Sequence, residues 1–194
     1  MSDPSDDALA LARRHGLPVE MLYLREEYPR DRWAEPGLDQ TAAFWLQMHG
    51  SFRGHQGHMD GLVSQWRAGG DIRVLHRQLI PALQSFLQHL DGHHRIESGQ
   101  YFPMMREIEP KIGHGIDLLD RDHDVIHGQL ETLFQSGLAF HQAVSSNAAD
   151  AADAADRAAR LGDAIDAIAP SLLRHLEDEE DIVIPLIQLR GLPH

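Results

Sequence analysis

The chain has no cysteine among its 194 residues, which excludes disulfides, thiolate metal sites and cysteine nucleophiles. It also lacks an uninterrupted apolar run near the roughly 20 residues that span a bilayer. Its first residues are acidic, where a signal peptide would be basic. These absences predict a cytoplasmic protein with no membrane partner.

Clustered positive charge is missing as well. The chain carries 17 Lys and Arg against 30 Asp and Glu, a formal net charge of −13, so nucleic acid is not an expected partner. What the chain does have is histidine, with 14 residues. Histidine is intermediate in its preference for burial, so the positions of these residues must distinguish ligands from surface groups.

Hydrophobic residues recur with helical periodicity along almost the whole chain, and no segment alternates as a strand would. We therefore predict an all-α fold in which residues 36–194 form an up-and-down four-helix bundle. Residues 1–35 are predicted to be an N-terminal extension with a short helix near Ala8 to His15.

Glycine and proline clusters separate the predicted helices. Pro81 and Pro170 fall inside two of them and predict a kink or a break, because proline removes a helical hydrogen bond. The four long helices are expected at about 38–68, 71–100 with a continuation to about 109, 114–144 and 148–190.

Polar residues interrupt apolar columns in these helices. His175 and Glu179 are each the one polar residue in a column of the last helix, and His93 and Glu97 repeat the spacing in the second. An unpaired buried carboxylate costs several kcal/mol, and no lysine or arginine shares these columns, so metal cations are the expected compensation. The predicted metal ligands are His49, His93, Glu97, His123, His127, His175 and Glu179.

The heights of these residues along an up-and-down bundle also agree. Residues that meet on adjacent antiparallel helices are equally far from the turn between them. The midpoint between His49 and His93 falls beside Gly70, in the predicted turn between the first two helices. The midpoint between the pair His93/Glu97 and the pair His123/His127 falls at Pro110, in the next predicted turn. The seven side chains are therefore predicted to converge at one level of the core.

Imidazole and carboxylate ligands favour iron, manganese or zinc over soft metals. Seven ligands are too many for one tetrahedral zinc. On two six-coordinate metals, five imidazoles, two bridging carboxylates and a bridging oxygen leave one position open. We expect dioxygen or another small ligand to bind there.

Four stretches carry these residues: Phe44 to His49, His93 to Pro103, Asp122 to His127, and His175 to Glu180. They resemble the hemerythrin-like (HHE cation-binding) family over about residues 40–190. The resemblance implies two iron ions with an oxo or hydroxo bridge, the five histidines as terminal ligands and the two glutamates as bridges. Manganese or zinc are the expected substitutes.

One departure from hemerythrin proper concerns the last motif. There an aspartate stands five residues after the histidine, whereas here Glu179 stands four after His175 and Glu180 occupies the five-residue spacing. This departure makes reversible oxygen carriage a weaker expectation than metal binding. His55, His89 and His94 remain alternative members of the metal shell.

The first functional hypothesis is a protein that binds dioxygen or nitric oxide, or that senses iron or redox state. The second is a di-iron enzyme that turns over peroxide, oxygen or nitric oxide, for which Tyr101 is the candidate proton donor. The third is a helical interaction domain without metal, against which the predicted buried glutamates argue. Protein partners are not predicted.

Overall fold

The computed structural model describes residues 8–146 and 150–192. Every regular element in these ranges is helical, which confirms the predicted all-α class. In chain order the α-helices are α1 (Tyr23–Glu27), α2 (Gln40–Arg67), α3 (Ile72–Ile96), α4 (Phe102–Ile108), α5 (Gly113–Ser145) and α6 (Ala151–Arg190). A π-helical turn, Glu97–Tyr101, joins α3 to α4, and single 3₁₀ turns lie at Val19–Met21, Arg30–Arg32 and Pro110–Ile112.

The ends of the long helices follow local chemistry. Asp39 caps α2, because its Oδ1 accepts a hydrogen bond from the backbone N–H of Thr41 at 2.7 Å. Gly69 follows the end of α2 with a φ of +102°, a left-handed conformation that glycine adopts readily. Asp71 then caps α3 through the N–H of Arg73 at 2.7 Å.

Pro81 and Pro170 lie inside α3 and α6, and neither divides its helix, so the alternative that they break the helices was wrong. The irregularity lies instead at Glu97–Tyr101. There the N–H of Phe102 bonds to the carbonyl of Glu97, five residues back. Such π turns insert one extra residue into a helix and are frequent at functional sites.

The chain divides into two compact units, and the first comprises residues 1–50, 93–125 and 170–194. In the predicted extension, residues 9–13 form turns in which the N–H groups of Arg13 and Arg14 bond to the carbonyl of Ala10. The division at residue 36 stays a prediction. The buried apolar residues of the first unit include Leu24, Trp45, Phe102, Met105, Ile116, Leu119, Val183, Leu186 and Ile187.

The second unit comprises residues 51–92 and 126–169. It buries large apolar side chains at helical spacing, as the hydrophobic columns predicted. None of the described helices is long and apolar enough to cross a membrane. The buried apolar residues of this unit include Phe52, Met59, Leu79, Leu83, Phe86, Leu90, Leu133, Phe140, Leu161, Ile165 and Ile168.

Candidate metal centre

Four helical segments of the first unit each direct polar side chains into its interior. His49 comes from α2, His93 and His94 from the last turn of α3, Glu97 from the π turn, His123 from α5, and His175 and Glu179 from α6. Most of these side chains are sealed from solvent: His49, His175 and Glu179 are 0% exposed and Glu97 is 1% exposed. Polar groups at this depth require partners.

The buried groups form two clusters, in each of which the potential ligand atoms lie within 4.8 Å of one another. One cluster, which we call the three-imidazole cluster, consists of His94, His123 and His175. The other, the mixed cluster, consists of His49, His93, Glu97 and Glu179. Each cluster has enough imidazole and carboxylate donors to hold a metal ion.

Glu97 connects the two clusters through its two oxygens. Its Oε1 lies 2.7 Å from Nε2 of His93, in the mixed cluster, and its Oε2 lies 3.5 Å from Nε2 of His123, in the three-imidazole cluster. A carboxylate placed in this way would reach a metal ion held in either cluster.

Glu179 repeats this arrangement from a different helix. Its Oε1 lies 3.3 Å from Nε2 of His49 and its Oε2 lies 3.1 Å from Nε2 of His175. Each glutamate therefore reaches one histidine of each cluster. Two such carboxylates connect the clusters, so metal ions bound in them would be neighbours.

The orientation of three imidazoles also suits metal binding. His175 donates from Nδ1 to Asp122 at 3.4 Å, and His49 donates from Nδ1 to Glu180 at 3.1 Å. His123 Nδ1 lies 2.9 Å from the Ser98 hydroxyl. Hydrogen bonds at Nδ1 fix each ring and turn Nε2 inward, which is the usual support for a metal-bound histidine.

The bonding of the Ser98 hydroxyl determines which group is the donor in its hydrogen bond with His123. It donates to Asp120 at 2.6 Å, so its one hydrogen is already engaged. The Nδ1 of His123 must then be the donor to Ser98. The lone pair of His123 consequently lies on Nε2, the atom directed to Glu97.

Several of the inward-facing atoms lack a hydrogen-bond partner within the described part of the chain. They are both carboxylate oxygens of Glu97, Oε2 of Glu179, and Nε2 of His123 and of His175. Buried polar atoms without partners are rare and costly. Divalent or trivalent cations between the clusters would satisfy all of them, so the residues fit the metals that the sequence predicted.

Burial of these groups without a metal ion also shifts their pKa values. Burial, together with the negative charge of Glu179, raises the pKa of Glu97 well above its usual range. Burial and neighbouring imidazoles lower the pKa of His93 to about 4 and that of His123 to about 3. The neutral form of these three groups is therefore favoured when no metal is bound.

His175 and Glu179 behave in the opposite way. Burial alone would lower the pKa of His175, but the carboxylates of Asp122 and Glu179 beside its ring raise it to about 9. Burial alone would likewise raise the pKa of Glu179, but the positive charges of His49 and His175 hold it well below its usual range. A proton on His175 thus compensates Glu179 where a metal would.

Aromatic rings surround the mixed cluster. The indole Nε1 of Trp45 donates to Oε1 of Glu179 at 2.6 Å. The same indole meets the rings of His93 and Tyr101 edge-on, with centroids 6.1 and 5.0 Å apart. Trp45 therefore orients one bridging carboxylate and excludes water from that side of the cluster.

Six of the seven predicted ligands are brought together, and His127 is not. His127 belongs to the second unit, where its Nδ1 lies 3.4 Å from Oδ1 of Asp91, and neither metal-binding cluster of the described residues includes it. His55 and His89 also lie outside both clusters, in ring contact with each other at 6.4 Å.

His94, and not His127, lies with His123 and His175 in the three-imidazole cluster. It is 1% exposed and stacks on His123 with ring centroids 4.0 Å apart. Its position next to His93 in the sequence could have indicated this role. Two neighbouring metal ions need ligands from a wider arc of the helix than one column of residues covers. The acidic supports Asp122 and Glu180, each next to a predicted ligand in sequence, were missed as well.

Comparison with known proteins gave a match to a protein family. No significant match was found among curated proteins or among solved structures. The family model described as the Hemerythrin HHE cation binding domain matches residues 40–187, a span that contains all the residues of both clusters. The chain belongs to the hemerythrin HHE cation-binding domain family.

Proposed function

We propose that this chain is a non-haem di-iron protein that binds dioxygen or another small diatomic ligand, or that senses iron or redox state through the same centre. The observation that carries the proposal is the placement of Glu97 and Glu179, each with one oxygen directed to each cluster. Family membership supports it, since these domains bind cations.

In the proposed ligand set the three-imidazole cluster binds one iron and the mixed cluster the other. His94, His123 and His175 offer three nitrogens on one side, and His49 and His93 offer two on the other. Both sides share the two bridging carboxylates and a bridging oxygen. The side of His49 and His93 is one donor short of six, so the open position belongs there.

The arrangement of donors also supports the predicted up-and-down four-helix bundle. Ligands come from α2, from the end of α3 with the π turn, from α5 and from α6. Consecutive helices that reverse direction return to the same level, as the positions of these residues require. We propose this topology for the bundle as a whole.

Iron at this centre would supply reversible binding of dioxygen or nitric oxide at the open position. The protein contributes a dry, rigid environment around that position. Trp45 holds Glu179 with its indole N–H and covers His93 with its ring. His93 has a side chain 12% exposed, the most accessible of the mixed cluster, and small ligands would enter past it.

Anaerobic reconstitution tests the proposal. The metal-free protein is titrated with ferrous iron, the bound metal is counted, and optical spectra are recorded before and after exposure to air and again after deoxygenation. Two irons per chain and a spectrum that returns on deoxygenation would support a carrier or sensor. Less than one iron per chain, unchanged by Glu97→Gln, would refute the di-iron centre.

The same preparation addresses the enzymatic alternative. Multiple turnovers of added peroxide by the iron-loaded protein would favour an enzyme. Tyr101, in contact with Trp45 at 5.0 Å, is the proton donor to replace with phenylalanine in that case. Manganese and zinc, which accept the same ligands, are tested by the same metal counts.

A further inference from the structure

A buried arginine from outside the matched domain reaches the supports of the metal ligands. Arg14 precedes the family match, which begins at residue 40. Its side chain is only 1% exposed, and the whole residue is 6% exposed. Because a guanidinium is always charged, burial at this depth requires anionic partners.

Arg14 uses its fork of N–H groups on two aspartates. Its Nη1 and Nη2 donate to the two oxygens of Asp122, the first at 2.8 Å, and its Nε donates to Asp178 at 2.6 Å. A further bond from Nη1 to the carbonyl of Leu9, at 3.0 Å, ties the guanidinium to its own segment. This planar, multiply bonded arrangement is specific to arginine and cannot be reproduced by lysine.

Asp122 connects Arg14 to a proposed metal ligand. The same Oδ2 that accepts from Arg14 lies 3.4 Å from Nδ1 of the fully buried His175. Asp178, the other acceptor, lies between His175 and Glu179 in α6 and is 0% exposed. The guanidinium of Arg14 thus holds both Asp122, which accepts from His175, and Asp178, which lies between the two α6 ligands in the sequence.

The segment that carries Arg14 is fastened to the same part of α6 at further points. Arg174 donates to the carbonyl of His15 at 3.1 Å. Arg25 and Arg30 each bond to Asp181 at 2.6 Å. Arg30 also interacts electrostatically with Glu180, the acceptor of His49. The bond of Arg25 to Asp181 holds the extension on α6 without involving a residue that supports a ligand, so Arg25 supplies the matched control.

We propose that Arg14 is a positioning residue of the metal centre, which acts through Asp122 to hold His175 in its metal-binding orientation. The proposal rests on the proposed function, since it assumes that His175 binds metal. The N-terminal extension is then a working part of the site, because it provides the guanidinium that Asp122 and Asp178 share.

The test compares metal affinity and midpoint potential in full-length variants. Zn²⁺, which has no redox chemistry, is titrated into metal-free protein, and the iron-loaded protein is titrated electrochemically. Loss of partners that orient ligands typically costs about 10–100-fold in metal affinity, and we expect about tenfold for Arg14→Gln. The midpoint potential should fall, because the loss of one buried positive charge beside Asp122 and Asp178 stabilises the more positive oxidised metal.

Three comparisons make the result specific to the path through Asp122. Arg14→Gln in an Asp122→Asn background should weaken Zn²⁺ binding by clearly less than in the wild type, because a shared path is not additive. Arg14→Lys keeps the charge without the fork and should recover only part of the affinity. If Arg14→Gln does not fold, Arg14→Lys is the variant to measure in its place. Arg25→Gln should leave affinity and potential at wild-type values.

Unchanged affinity and potential in Arg14→Gln would overturn the proposal, as would fully additive effects with Asp122→Asn or an equal effect of Arg25→Gln. These outcomes are distinct from a failure of the proposed function. In that case the wild-type chain itself would not bind two Zn²⁺ or two iron ions.

Discussion

Glu97 and Glu179 place two fully buried carboxyl groups next to each other, one from the π turn and one from α6. Burial and the charge of Glu179 raise the pKa of Glu97 well above its usual range. Without metal, the neutral acid form of Glu97 is therefore favoured over its carboxylate. This relationship has a direct consequence for metal binding, because only the carboxylate form bridges two cations.

Metal binding near pH 7 should release protons. Glu97 must lose its proton, and His175, with its pKa raised to about 9, must lose one as well. Calorimetric titration with Zn²⁺ in buffers of different ionisation enthalpy counts the protons released. We expect net proton release at pH 7, and less of it as the pH rises through about 9, the pKa of His175. Binding without proton release at pH 7 would contradict these protonation states.

His94→Ala and His127→Ala should separate the two candidates for the fifth imidazole. His94 belongs to the three-imidazole cluster, so its loss should lower iron occupancy from two toward one per chain. His127 contacts Asp91 in the second unit, and its replacement should leave occupancy unchanged. The reverse pattern would restore His127 as a ligand and remove His94.

Replacing Trp45 with phenylalanine should preserve the apolar contact while it deletes the indole N–H. Glu179 then loses the donor that bonds to its Oε1 at 2.6 Å. Hydrogen bonds to charged groups contribute about 1.5–3 kcal/mol, so we expect a loss of this order in the free energy of unfolding of the metal-free protein. Denaturant titration measures it. Trp66→Phe, in the second unit, is the control and should cost less.

Low pH should destabilise the metal-free protein through His93 and His123. Burial first, and positive neighbours second, lower the pKa of His93 to about 4 and that of His123 to about 3, below the ordinary value of 6.5. Between those values and 6.5 the unfolded chain binds protons that the folded chain does not. The free energy of unfolding should therefore fall as the pH drops below about 6.5.

Urea unfolding as a function of pH, in the absence of metal, measures this loss. His93→Gln should reduce the slope between pH 4 and pH 6.5 by the equivalent of about one proton. His58→Gln, at an exposed position, is the control and should leave the slope unchanged. An unchanged slope in His93→Gln would show that His93 is not held neutral in the folded state.

Much of this site followed from helical periodicity alone. His175 and Glu179 interrupt apolar columns of a long, regular helix, so their common face and their burial could be read from their spacing. The same is true of His49, His93 and Glu97. Depth matching from the turns then brought the helices to one level, because the predicted turns at Gly70 and Pro110 lie at the observed helix ends.

The structure groups His94, rather than His127, with the other candidate ligands, and this difference from the prediction has a physical reason. Column analysis treats each helix as straight and regular and rewards residues one turn apart, such as His123 and His127. Two adjacent metal positions instead need ligands across the helix, which His93 and His94 provide as sequence neighbours. Arg14 was beyond reach, because its contacts with Asp122 and Asp178 join segments 108 and 164 residues away.

The central claim is that two iron ions share Glu97 and Glu179 as bridges. Electron paramagnetic resonance of the air-oxidised, iron-loaded protein tests it most directly, with iron counted in the same sample. Two bridged ferric ions couple antiferromagnetically, so the account predicts two irons per chain with no ferric signal. A high-spin ferric signal that accounts for all the bound iron would show isolated ions and contradict the bridged centre.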